Sequence, residues 1–199
     1  MPFWSTNFRQ DPTLKDPKRN FRFTVEFDGI DSEQGGALAW YAKTVTKPSF
    51  TVENIEHAYL NHKFYYPGAV TWNTVTIEMV DPLGPDVTAT FADILQQSGY
   101  APPANSTALG SISKAKAAAA LGQITITQID SDGKPLETWT LWNGFLKDFQ
   151  LGTLGYGDDE LSVATLEIMY DWARVETENP SEATNGTRAK AFFNQSNGE

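Results

Sequence analysis

The chain is predicted to be mainly β: a small antiparallel β-barrel or sandwich with one flanking α-helix at about residues 86–98. Three observations carry this. Leu161–Trp172 alternates, with Ala164, Leu166, Ile168, Tyr170 and Trp172 on one side and Thr165, Glu167 and Asp171 on the other. Such a period of two is the mark of a strand with one buried and one wet face. Similar runs at Leu136–Trp142 and Phe145–Leu151 precede it, separated by turn residues such as Asn143-Gly144. Only one stretch, Asp86–Ser98, carries a strong helical stripe.

Taken in order, residues 1–19 are rich in Pro and charge and read as an extended N-terminal arm. Phe21–Asp28 sets Phe21, Phe23, Val25 and Phe27 against Arg22, Thr24, Glu26 and Asp28, a half-buried strand. Leu38–Thr46 is a second strand, ended by Lys47-Pro48 because Pro lacks a ladder donor. Ser49–Glu56 is predicted as a protruding loop with a short strand. Ala58–Tyr66 and Thr71–Val80 are predicted to pair as a hairpin around Pro67-Gly68. In the helix, Val87, Phe91, Ile94 and Leu95 share a face; Asp86 caps its start and Gly99 its end. Tyr100–Ser111 is a loop. Ser113–Leu121 favours a short helix that depends on tertiary contacts. Gln123–Asp130 is a strand, turned by Asp132-Gly133 into Leu136–Trp142. The expected organisation is one domain over residues 20–176 and a weakly ordered C-terminal tail over 177–199.

Bulk properties exclude several classes. The net charge of −10 argues against an ordinary nucleic-acid binder, which needs a basic footprint. The charge is uneven: residues 1–22 hold five basic and two acidic groups, so the remainder is the acidic part. With no Cys there is neither disulfide nor thiolate chemistry. Met1–Gln10 lacks an apolar signal core, and Ile94–Ser113 is interrupted by Pro102 and Pro103. A soluble chain without a membrane partner, made in a cytoplasm, is therefore expected.

Catalysis finds little support. His57 and His62 are five apart in a strand-like run, which sends them to opposite faces and keeps them off one metal. Asp130, Asp132 and Gly133 suit a turn better than a calcium loop. Asp158, Asp159 and Glu160 read as a solvated acidic surface, since adjacent carboxylates splay apart. Trp139, Trp142, Tyr156 and Trp172 suggest a carbohydrate surface less well than core and interface packing. The expected protein is not an enzyme and has no catalytic residue, metal or cofactor.

Leu141-Trp142-Asn143-Gly144, then Leu151-Gly152, the acidic loop to Glu160 and the strand ending in Tyr170-Asp171-Trp172 resemble the C-terminal end of tail tube proteins of contractile-tailed bacteriophages. Phe21–Asp28, Ala42 to Pro48 and Tyr65–Gly68 follow the same family's opening order, so the resemblance spans roughly residues 20–175. The pattern departs at Pro102–Leu121 and in both tails. The resemblance implies a tail-tube-like virion protein, assembled in a bacterial host cytoplasm. Homohexameric rings would stack into a hollow tube, in contact with the tail sheath, baseplate and tail-terminator proteins. Phage DNA would pass through without specific binding, because an acidic wall repels a polyanion. Thr74, Thr76 and Glu78, or else Glu167 and Asp171, are the wet-face candidates for the lumen. Lys47, Pro48, Phe50 and Glu53 are the candidates for a ring-stacking loop. Two alternatives stand beside this: a baseplate tube initiator of the same fold, and a carbohydrate-binding β-sandwich module.

Overall fold

A computed structural model describes residues 18–30, 42–83, 86–102, 110–157 and 159–177. The arm up to residue 17, the tail from residue 178 and the start of the second predicted strand, Leu38–Tyr41, lie outside these. Two four-stranded antiparallel sheets face each other. Sheet I runs β1 (Phe23–Phe27), β6 (Ile124–Ile129), β7 (Pro135–Trp142), β10 (Trp172–Thr177). Sheet II runs β2 (Ala42–Val45), β5 (Val75–Val80), β9 (Val163–Met169), β8 (Phe145–Leu151). The remaining pair, β3 (Phe50–Tyr59) and β4 (His62–Trp72), stands apart.

Alternation decides what lies between the sheets. Sheet I turns Val25, Phe27, Ile124, Ile126, Leu141 and Ala173 inward; sheet II answers with Val75, Ile77, Met79, Ala164, Leu166 and Ile168. The mainly β, antiparallel prediction holds. Among the described residues there are two helices, the flanking α1 (Val87–Gln97) and the short α2 (Lys114–Leu121), which forms where Ser113–Leu121 favours one. Asp86 caps α1 by accepting from the Ala89 N–H at 3.0 Å. Val87, Phe91 and Ile94 are buried, whereas Leu95, expected on the same stripe, is largely exposed. Helix α2 is short, and its Ala117, Ala120 and Leu121 are buried. Its end abuts β1: Gly122 has φ +65°, and a Cβ there would sit 2.3 Å from the Gly29 nitrogen. Glycine suits both demands.

Two continuities organise the chain. At Asn143-Gly144 β7 passes into β8, and at Tyr170-Asp171 β9 passes into β10. The two bent strands stay paired around this corner, Trp142 opposite Trp172 and Phe145 opposite Met169, so sheets I and II are joined there. This corrects the reading of Leu161–Trp172 as one flat strand. Tyr170 and Ala173 are buried but Trp172 is exposed, because the bend shifts the alternation by one residue.

The second continuity is a long hairpin. Its lower half is β2 paired with β5; its upper half is β3 paired with β4. Between them Pro48 is buried at the break, and Asn73 N–H donates to the Ser49 carbonyl at 2.9 Å. The expected Ala58–Tyr66/Thr71–Val80 hairpin is therefore incorrect. Its supposed turn, Pro67-Gly68, lies inside β4 beside an irregularity of register, and the true turn is Leu60-Asn61.

Candidate functional site

Three sites stand out once the core is filled, and each follows from the strand register. The first is the outer face of sheet II. Thr76 lies opposite Glu167, and Glu78 opposite Thr165. Thr74 Oγ1 donates to Glu167 Oε1 at 2.7 Å, and Thr44 Oγ1 to Glu78 Oε2 at 2.9 Å. Lys147 Nζ reaches Glu167 at 2.8 Å. The Lys147 ammonium, aided by the Thr74 hydroxyl, holds the Glu167 carboxyl below the usual carboxylate range. Such a carboxylate is a weak proton acceptor, and no imidazole shares this face, so the arrangement presents hydroxyls and fixed negative charge rather than acid–base chemistry. Thr74, Thr76, Glu78 and Glu167 thus come together. Asp171 does not join them: it sits at the corner, bound by Lys114 at 2.7 Å and Asn143 at 2.9 Å, which hold its carboxyl low.

The second surface is the β3–β4 hairpin. All ten residues of β3 are exposed, and β4 is nearly so. Cross-strand partners share a face, so Ile55 with Tyr66, His57 with Phe64, and Tyr59 with His62 line one side of its outer half. That side carries no Asp, Glu, Lys or Arg, while Glu56 and Lys63 pair at 2.8 Å on the other. His57 and His62 therefore share a face, contrary to expectation. The two-residue turn between them resets the parity of the count. Leu60 at the tip has φ +53° and is 85% exposed, a conformation that a branched apolar residue rarely adopts. The root is fixed by rings: Phe50 packs on Trp72 at 5.3 Å and Trp72 on Tyr170 at 5.9 Å.

The third is a buried carboxylate that the sequence reading passed over. Glu137 points inward from β7, on the same side as Trp139 and Leu141. It accepts from Lys18, from Lys47 at 3.0 Å and from the Trp139 indole N–H. Lys47 also donates to Gln128 Oε1 at 2.8 Å, and Gln128 Nε2 to the Arg19 carbonyl at 3.0 Å. Burial raises the Glu137 pKa, but its three donors outweigh that and hold it at about 2. An acid at an inward position of an alternating strand was the available signal. One carboxylate thus anchors both the foot of the N-terminal arm and the foot of the long hairpin. Lys47 and Pro48, from the predicted stacking loop, lie at that foot; Phe50 and Glu53 lie on β3.

No protein-family model matches the chain, and no curated protein sequence does. Solved structures do. A chain from the anti-feeding prophage baseplate aligns with a TM-score of 0.58 and 17% identity, covering 82% of this chain and 98% of that one. A chain from the anti-feeding prophage tube-terminating cap aligns at 0.60 and 16%, covering 84% and 95%. A chain from the sheath–tube complex of the PVC extracellular contractile injection system aligns at 0.59 and 17%, covering 82% and 94%. At these identities the likeness is one of fold, over nearly the full length of those chains.

Proposed function

We propose that the chain is a structural subunit of a tube belonging to a contractile injection apparatus, acting by self-assembly and not by catalysis. The observation that carries this is the β3–β4 hairpin, which projects an aromatic side without Asp, Glu, Lys or Arg from a body whose own core is already filled. Contiguous exposed apolar surface of this kind marks an interaction site. A hairpin of 10-residue strands extends about 33 Å, enough to cross to a neighbouring copy. Among the described residues β1, β10, β2 and β8 are edge strands, and they add rows of main-chain groups for pairing between copies. The fold shared with baseplate, cap and sheath–tube chains supports the same reading.

In its full form the proposal has six copies per ring, rings stacked into a conduit, a contractile sheath outside and baseplate and terminator proteins at the ends. The outer face of sheet II, with Thr74, Thr76, Glu78 and Glu167, lines the lumen. Hydroxyls keep that wall wet, and its carboxylates repel a polyanion such as phage DNA, which passes without the counterion-release gain that makes nucleic acids stick. The site of action is a virion or a related particle. The test is negative-stain electron microscopy of the purified full chain. Hollow rods of uniform width are the expected result. Rings that never elongate would place the protein at a tube end, as baseplate initiator or cap. A monomer at every concentration would overturn the proposal.

A further inference from the structure

Two surfaces not used above complement each other. At the corner, Trp142 and Trp172 lie side by side on the outer face of sheet I, their ring centroids 6.2 Å apart and their planes 15° from parallel. They are 38% and 43% exposed. Arg174 lies over Trp142, its Cζ 5.4 Å from the ring centroid. The Arg174 Nε is shut off from solvent without a hydrogen-bond partner, and no carboxylate pairs with the guanidinium among the described residues. A permanently charged, weakly hydrated fork stacked on indole is built to receive a carboxylate carried on an apolar surface.

The β8–β9 loop offers that chemistry. Leu154 and Leu161 are 90% and 74% exposed and Tyr156 is fully exposed. The exposed Asp159 and Glu160 stand among them. The loop cannot serve the tryptophans of its own chain. It joins the far end of β8 to the start of β9, whereas Trp142 and Trp172 flank the other end of that strand pair. Seven residues of β9 separate the two, roughly 23 Å.

We infer that the β8–β9 loop of one copy docks on the Trp142–Trp172–Arg174 surface of the next, Tyr156 and its flanking leucines against the indoles and Asp159 or Glu160 against Arg174. This rests on the self-assembly proposed above and adds a second contact to that of the hairpin. Two different patches at opposite ends of one strand pair make a head-to-tail interface, which closes into a ring when the rotation per copy divides a full turn. Trp, Tyr and Arg are also the residues that dominate interface energetics.

The experiment uses charge reversal in the full chain, with circular dichroism to confirm folding and sedimentation to follow assembly. Arg174→Glu alone, and Asp159→Arg with Glu160→Arg, should each raise the concentration needed for assembly by roughly tenfold or more. The three changes combined should restore it. Because the chain has no Cys, Thr140→Cys with Asp159→Cys supplies a second measurement, expected to give disulfide-linked ladders on oxidation. If wild-type rings form but Arg174→Glu assembles like wild type, or the Cys pair gives no ladder, this interface is wrong and the tube reading stands. If the wild type never assembles, both fall.

Discussion

Asn73 and Thr74 divide two strands that are both rich in apolar side chains, aromatic ones in β4 and aliphatic ones in β5. On one side β5, Val75–Val80, buries every second residue completely. On the other β4 carries Val70, Tyr66, Tyr65 and Phe64, and leaves all of them about half exposed. Apolar side chains are present in both; the number of layers decides which of them are buried. β5 lies between β2 and β9 and faces sheet I, so each apolar side chain meets a second sheet. Among the described residues β4 has one partner strand and no facing layer. A two-stranded ribbon is marginal in water, so the body is complete in a single copy and the hairpin is not. That contrast is the ground for the proposed self-assembly, since contiguous exposed apolar surface marks an interaction site.

Breaking the body should have the largest effect. Phe91 is buried between Phe27 and Phe149, with ring centroids at 6.3 and 5.3 Å. Phe91→Ala should cost about 3–5 kcal/mol of stability, read from urea or guanidinium midpoints, and should remove assembly with the fold. Next comes the carboxylate that holds both feet. The Glu137 pKa is lowered from 4.5 to about 2 on folding. Its contribution is therefore complete above about pH 5 and is lost as the pH falls through 4 toward 2. Urea midpoints measured from pH 6 to pH 2 should fall over that window in the wild type and much less in Glu137→Gln. That variant should lose on the order of 1–3 kcal/mol at pH 7, since it leaves half-exposed ammonium groups rather than buried ones.

Changes in the hairpin sharpen the comparison from the other side. Leu60→Gly relieves a left-handed backbone and should steady the tip by up to about 1 kcal/mol, seen as slower limited proteolysis there. The smallest effect on stability belongs to Ile55→Ser with Tyr66→Ser. Both side chains are already exposed, so the unfolding midpoint should move by no more than about 0.5 kcal/mol. Rings or rods should nonetheless be lost under the electron microscope. A double variant that assembled normally would show that the hairpin is not the contact.

Much of this was legible in the residues. Strands β1, β5, β6, β7, β8 and β9 announce themselves by alternation, and helix α1 by its stripe and its Asp86 cap. What misled was local signal without tertiary context. Pro67-Gly68 has turn chemistry, yet β4 is an edge strand among the described residues, a place where a sheet tolerates proline. Leu60-Asn61 turns with Leu at the left-handed position, where Gly or Asn is the usual residue. At Tyr170-Asp171 no break is visible, because the chain bends while remaining extended, and Trp172 was assigned to the wrong side. Of the candidate lumen residues, Thr74, Thr76, Glu78 and Glu167 could be assigned to wet faces from parity alone. That β5 and β9 are neighbours, which makes them one surface, needed the pairing. Glu137 was hidden because its two lysines lie about 90 and 120 positions away.

The central claim is that residues 50–72 are completed only by other copies of the chain. Hydrogen–deuterium exchange across those residues, at low concentration and again in the assembled state, tests it most directly. The account predicts rapid exchange in the dilute protein, beside a protected β5 and β9, and strong protection after assembly. Equal protection of the hairpin and the body in dilute, monomeric protein would contradict it.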